Sequence, residues 1–214
     1  MSNWAAEVPN LHWRRIASSR SASRRKSADG AKPEPRRQLR AYYELRAAAG
    51  EDVHGEANFV MRYSPGSVLD AGCGTGRVGR ELNRRGIDVV GGDSDGEMLA
   101  TARDRCSSAS WMEADLSEIQ LGRAFDVVLM AGNVINFVIP ELRGQVVENL
   151  VRHLSPGGLL INGHAVRPDG CPPAMFAAWA GAAGLELVEH WSTWDRDVYT
   201  EGSDWSLTVH RLGR

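Results

Sequence analysis

Ten residues, Val68-Leu69-Asp70-Ala71-Gly72-Cys73-Gly74-Thr75-Gly76-Arg77, constrain the fold of this chain more than any other stretch. A short apolar run reaches a carboxylate, passes through glycines at alternate positions and enters a helical pattern. Glycine accepts positive φ and lets a ligand approach the main chain. The helix that follows offers unpaired N–H groups to a negatively charged group. Together these read as the first strand–turn–helix of a nucleotide-binding α/β sheet. A dinucleotide fingerprint would be G-x-G-x-x-G, but here the third glycine comes one residue early and Arg77 takes its place. Asp70 would also repel a pyrophosphate held against the turn. A ligand that carries positive charge suits the turn better.

Downstream, strand and helix patterns alternate. Strands are predicted at 67–71, 87–92, 109–114, 125–131 and 158–163, with helices at 77–85, 95–105, 140–153 and 173–183. Pro140 suits a helix start and Gly184 the residue after a helix end. Such alternation implies a parallel sheet covered on both faces. The last two strands, 185–191 and 205–211, have no helical pattern between them and should pair as an antiparallel hairpin. The expected fold is therefore α/β, a doubly wound, mostly parallel seven-stranded sheet with a C-terminal antiparallel hairpin and helices on both faces. Two further helical patterns precede the first strand. Leu39 to Arg46 is stopped by Gly50, and His54 to Tyr63 is ended by Pro65-Gly66. The domain is expected to run from 36 to 214, with 36–66 forming helices over the mouth of the site.

In order and spacing, the segments between residues 40 and 212 resemble the class I, Rossmann-like methyltransferases that use S-adenosylmethionine. The resemblance implies that cofactor, whose ammonium and sulfonium suit a turn beside a carboxylate, and a set of residues to hold it. Asp70, Ala71, Gly72, Cys73, Gly74 and Gly76 form the turn. Asp93, 23 residues after Asp70 at the end of Ile87-Asp88-Val89-Val90-Gly91-Gly92-Asp93, takes the ribose hydroxyls, with Ser94 beside it; otherwise it is only the cap of the helix opening near Asp95. Met98 lies on the adenine face or packs in the core. Asp115 and Leu116, after Trp111-Met112-Glu113-Ala114, reach the adenine edge. Ala131, Gly132 and Asn133 follow the fourth strand, and Arg46 meets the methionine carboxylate or stays solvated. Leu154-Ser155-Pro156-Gly157-Gly158 matches the family's turn into the fifth strand.

Methyl transfer is an in-line displacement at an already activated carbon, so proximity and alignment dominate, worth ~7–11 kcal/mol. A base is needed only if the acceptor must first lose a proton. His164, after the fifth strand, is the candidate base. Asn133, in Ala131-Gly132-Asn133-Val134-Ile135-Asn136-Phe137, either orients the reactants or simply forms the turn. That loop lacks the Asn-Pro-Pro-Tyr type of sequence with which amino-directed DNA and glutamine methyltransferases grip a planar nitrogen. His54 and Glu56 are placed near the pocket mouth, and among Trp191, Trp194, Tyr199 and Trp205 one is a candidate wall of an aromatic pocket.

The net charge of −2 hides an asymmetry: residues 1–40 carry +7 and the remainder −9. Residues 1–35, rich in Arg and Ser without hydrophobic period, read as a disordered basic arm. An acidic domain argues against nucleic acid as substrate, and with only short loops the expected acceptor is a small molecule. The alternatives are a sensor that binds the cofactor without catalysis, and an RNA or protein methyltransferase docking through the arm. Arginine outnumbers lysine 23 to 2, a bias of GC-rich bacterial genes. Three widely spaced cysteines give neither a disulfide framework nor a zinc pattern, so no metal is expected and a cytoplasmic setting fits.

Overall fold

The computed structural model describes Leu45 and residues 52–213. The chain divides into two units, Met1–Val53 and His54–Arg214. In the first, Leu45 is helical; the basic arm, Arg46 and most of the first predicted helix lie outside the described residues. The second unit carries the sheet.

Its elements are α1 (Gly55–Met61), β1 (Ser67–Ala71), α2 (Arg77–Arg84), β2 (Asp88–Asp93), α3 (Gly96–Arg105), β3 (Ser110–Glu113), β4 (Phe125–Met130), α4 (Val134–Phe137), α5 (Arg143–Val151), β5 (Leu154–Ala165), α6 (Pro173–Ala182), β6 (Leu185–Trp191) and β7 (Trp205–Leu212). The seven strands lie in the order β3-β2-β1-β4-β5-β7-β6. Neighbours from β3 to β5 are parallel, while β7 runs antiparallel to both β5 and β6. The chain reverses direction across the sheet between β1 and β4. In open α/β sheets this switch point, at the carboxyl ends of the strands, is where ligands bind.

Side chains alternate between the faces of a strand, and this builds two cores. Val68, Val89, Val127, Leu129, Leu159 and Ile161 face α1, α2 and α3. Leu69, Val90, Val128, Met130 and Leu160 face α4, α5 and α6. Both faces of β1 are thereby covered, which explains its unbroken apolar run.

Among the described residues the predicted elements match the observed ones to within two residues at each end, with three larger differences. α4 is a short helix inside what reads as a loop. The predicted helix at 140–153 begins as a 3-10 turn, Pro140–Leu142, and becomes α-helical only at Arg143. β5 is twice as long as predicted. It starts at Leu154, crosses a register shift opposite Phe125 and Val127, and continues to Ala165 because β7 pairs with it as far as Ala165 opposite Trp205.

Candidate functional site

The glycine turn follows β1 directly. Gly72, Gly74 and Gly76 have φ of 78°, 54° and 72°, a region that side chains with a Cβ rarely enter. Space matters as well: a Cβ on Gly72 would lie 2.6 Å from a Val134 methyl, and one on Gly76 2.6 Å from the Trp111 ring. The turn is fastened to β2, since Gly72 and Cys73 donate N–H bonds to Gly92 O at 2.7 and 3.1 Å. Cys73 is half-buried, and burial together with the nearby Asp70 and Asp93 raises its thiol far above the usual range.

Asp70 requires a correction. Its carboxylate does not present itself to a ligand: the residue is 2% exposed, and Oδ2 accepts from the N–H of Gly79 at 3.0 Å. Gly79 is in the first turn of α2, so the strand supplies one of the partners that a helix start lacks. The amide expected to face an anion is already taken. Burial raises the Asp70 pKa to about 7, against the opposing effects of the Gly79 bond and the nearby Arg77.

Asp93 ends β2 beside the turn. Oδ2 accepts from Gly74 N at 2.8 Å and Oδ1 from Asp95 N at 2.9 Å. The cap of α3 is Asp95, whose Oδ1 accepts from Glu97 N and Met98 N, both at 3.1 Å. Ser94 is exposed, and the Met98 sulfur lies 3.3 Å from where a Cβ on Gly74 would stand. These residues converge on one place. Asp115 is exposed, its Oδ1 accepting from the backbone and hydroxyl of Ser117 at 2.8 and 2.7 Å, and Leu116 is buried in the core.

At the exit of β4, Ala131 is half-buried and Gly132 exposed. Asn133 adopts a left-handed conformation, φ 71°, and stitches β4 to β5. Its N–H donates to Gly163 O at 3.1 Å, and its Oδ1 accepts from Ala165 N at 2.6 Å and from Asn136 Nδ2 at 3.3 Å. Asn136 continues the stitch, donating to Ala165 O at 3.0 Å and accepting from Cys171 N at 2.7 Å. This corrects the orienting role expected of the Asn133 side chain, because its acceptor oxygen is engaged within the fold.

His164 is corrected too. It is fully buried in β5, with Nε2 3.0 Å from Cys171 O and Nδ1 2.9 Å from Asn162 Nδ2. A carbonyl can only accept, so Nε2 carries the proton and Nδ1 accepts from the amide. Burial pulls its pKa down to about 4. Neither nitrogen is available to act as a base.

Two residues gain roles that the sequence did not reveal. Arg77 pairs with Glu56 of α1 through two contacts, Nη1 to Oε2 at 3.0 Å and Nη2 to Oε1. Asn136 anchors the acceptor-side loop. The spacing of 21 residues between Glu56 and Arg77 carries no local signature. His54 Nε2 lies 4.0 Å from Glu81 Oε2. Of the aromatic cluster, Trp205 is buried and Tyr199 stacks on His190 at 3.6 Å. Trp191 donates to Glu189 Oε2 at 2.6 Å. Trp194 packs edge-on against Phe59 at 5.6 Å. No cluster of three metal-ligating side chains occurs among the described residues.

Residues 68–158, from β1 to the start of β5, match the family model described as a methyltransferase domain. A TehB-like SAM-dependent methyltransferase from Corynebacterium glutamicum superposes with a TM-score of 0.77 at 31% identity, over 86% of this chain and 100% of that one. The chain belongs to the class I S-adenosylmethionine-dependent methyltransferases. Among curated members of the family, the dTDP-3-amino-3,6-dideoxy-alpha-D-glucopyranose N,N-dimethyltransferase of Streptomyces fradiae is 31% identical over 76% of this chain and 65% of its own length. The dTDP-3-amino-3,4,6-trideoxy-alpha-D-glucopyranose N,N-dimethyltransferase of Streptomyces venezuelae is 29% identical over 64% of this chain and 56% of its own. This methyltransferase chain thus spans between about half and two thirds of those relatives. No helix among its described residues is long and apolar enough to cross a membrane.

Proposed function

We propose that the chain binds S-adenosylmethionine at the glycine turn and transfers its methyl group to a small-molecule acceptor through an amine. The observation that carries this is the glycine turn: three glycines at positive φ follow β1 directly, with the Asp93 carboxylate at the end of β2 beside Gly74. The bound cofactor supplies a methyl carbon already activated by the sulfonium. The chain's own residues provide the rest. Asp93 accepts from the ribose hydroxyls with Ser94 at its side, and Met98 offers apolar contact to the adenine. Asp115 accepts from the adenine amino group, and the backbone of residues 71–76 and 131–133 lines the methionine end.

An amine acceptor fits a site whose candidate base is sequestered. A neutral amine attacks with its own lone pair and sheds a proton to solvent after the carbon–nitrogen bond has formed, so the transfer itself needs no base. The amino-sugar N,N-dimethyltransferases among the relatives support the same class of nucleophile. Calorimetry with S-adenosylmethionine, S-adenosylhomocysteine and NAD tests the cofactor: the first two should bind and NAD should not compete. Labelled methyl transfer to a panel of small amines, alcohols and carboxylic acids tests the acceptor. Incorporation into the oxygen acceptors alone would overturn the amine assignment, and NAD binding without a response to S-adenosylhomocysteine would overturn the whole.

A further inference from the structure

The antiparallel register of β5 and β7 puts Asn162 opposite Thr208, His164 opposite Ser206 and Leu160 opposite His210. Alternation along the strands then sets Asn162, His164, Ser206, Thr208 and His210 on one face, each at most 2% exposed. Phe176 of α6 lies over this face, its ring centroid 6.3 Å from that of His164 and 5.6 Å from that of His210. At one end the polar groups are paired: His164 stands between Cys171 O and Asn162 Nδ2, and Ser206 Oγ lies 2.9 Å from His190 Nε2. At the other end they are not. Asn162 Oδ1, Thr208 Oγ1 and both ring nitrogens of His210 are buried without a hydrogen-bond partner. Each such group gave up solvent on folding and gained nothing in exchange, so a cluster of them calls for a partner.

Donor and acceptor chemistry fixes where these atoms point. Because Cys171 O can only accept, His164 Nε2 holds the proton and Nδ1 needs a donor. The Asn162 amide therefore turns its nitrogen to His164 and its Oδ1 away, towards the end of the face where His210 stands. Thr208 is directly across from Asn162, with Cβ atoms about 5 Å apart in such pairs. His210 follows two residues along the same strand, about 7 Å on. Polar atoms on side chains this close that do not meet one another are separated by the span of one water, with bonds of about 2.8 Å to each side. We propose that Asn162, Thr208 and His210 form an internal hydration site that holds an ordered water between β5, β7 and α6. Burial keeps His210 neutral, so one of its nitrogens accepts. The water donates to that nitrogen and to Asn162 Oδ1 and accepts from the Thr208 hydroxyl, the number of bonds usual for a buried water. A metal is not the ligand, since no group of three metal-ligating side chains occurs among the described residues. With Phe176 above it, the water exchanges only when α6 lifts from the sheet.

The test is a high-resolution crystal structure of the full-length protein, joined to water magnetic relaxation dispersion in solution on the wild type and on T208V/H210F. The crystal should show a solvent peak within about 3.2 Å of at least two of Asn162 Oδ1, Thr208 Oγ1 and a His210 ring nitrogen. The double variant keeps the bulk of both side chains but leaves Asn162 Oδ1 as the one partner, too few to hold a buried water. Relaxation dispersion should therefore count fewer long-lived waters in it than in the wild type. Direct hydrogen bonds among the three side chains, or a peak that reaches fewer than two of them, would overturn the proposal. So would a peak at metal distance from His210, about 2.0–2.1 Å, or an equal count in the folded double variant. If that variant does not fold, the wild-type crystal structure decides on its own.

Discussion

The two halves of the sheet solve burial of polar groups in opposite ways. Under the glycine turn, a single buried carboxylate, Asp70, has a specific partner in Gly79 N–H and helps to hold the helix that follows. Beneath α6, β5 and β7 instead bury a whole polar face: Asn162 and His164 on one strand, Ser206, Thr208 and His210 on the other. Phe176 of α6 covers it, with ring centroids 6.3 Å from His164 and 5.6 Å from His210. Several of these groups lack a protein partner: neither nitrogen of His210 has one, nor does Asn162 Oδ1 or Thr208 Oγ1. One half uses a buried acid as a helix cap. The other tolerates histidines that burial keeps neutral.

The contrast predicts opposite pH responses. Burial holds His164 and His210 near pKa 4, with the neighbouring cationic groups Arg143 and His190 pushing the same way. Each ordinarily titrates at about 6.5. Between pH 6.5 and 4 the unfolded chain therefore binds more protons at these residues, and stability is lost as the pH falls through that window. At 1.36 kcal/mol per unit, the loss approaches about 3 kcal/mol for each histidine. Asp70, raised from 3.8 to about 7, does the reverse. The folded state holds its proton more firmly, so its contribution grows as pH falls from 7 towards 4. Urea titrations at several pH values should thus show H210L flattening the acid loss. D70N, which removes the opposing contribution, should steepen it. Parallel curves for wild type and both variants would break the comparison.

Each half also contains a tryptophan seated over a glycine. A Cβ on Gly91 would lie 2.4 Å from the Trp111 ring, and that ring is locked by its Nε1 bond to Cys106 O at 2.7 Å. Gly91→Ala should therefore destabilise by about 2–3 kcal/mol, the upper range for overpacking, visible in thermal melts. At the ligand itself, Asp93→Ala should weaken S-adenosylmethionine binding by about 1.5–3 kcal/mol, as for hydrogen bonds from a charged group. Unchanged calorimetric affinity in a folded variant would reduce Asp93 to a loop anchor. The smallest effect belongs to Gly163→Ala. Its Cβ would meet Trp194 at 2.6 Å, but Trp194 lies on the β6–β7 loop and can yield, so about 1 kcal/mol is expected. Equal losses at Gly91 and Gly163 would show that the two sockets are equally rigid.

The pattern of strands and helices was legible because alternation and glycine placement are local. The end of β5 was not. Residues 158–163 carry the strand pattern, but pairing with β7 extends the strand to Ala165 and turns His164 from a loop residue into a core one. The reading of Asp93 as either ribose acceptor or helix cap could not be divided by spacing alone; the side-chain geometry of Asp95 gives the cap to that residue. Asn133 was visible as a turn former, yet the strand it fastens lies about thirty residues downstream, beyond any local signal.

By itself, the sequence determined what short-range chemistry can encode: the positive-φ turn, the apolar run of β1, the acid ending β2, and the succession of elements that admits only a covered parallel sheet closed by a hairpin. Each depends on residues within a few positions of one another, where backbone sterics and side-chain alternation operate directly. Only the tertiary structure decided which way charges and protons point. It turned Asp70 under α2, sealed His164 between a carbonyl and an amide, and joined Glu56 to Arg77 across 21 residues. Burial and partnership set protonation and charge, and both are properties of the packed neighbourhood rather than of the chain.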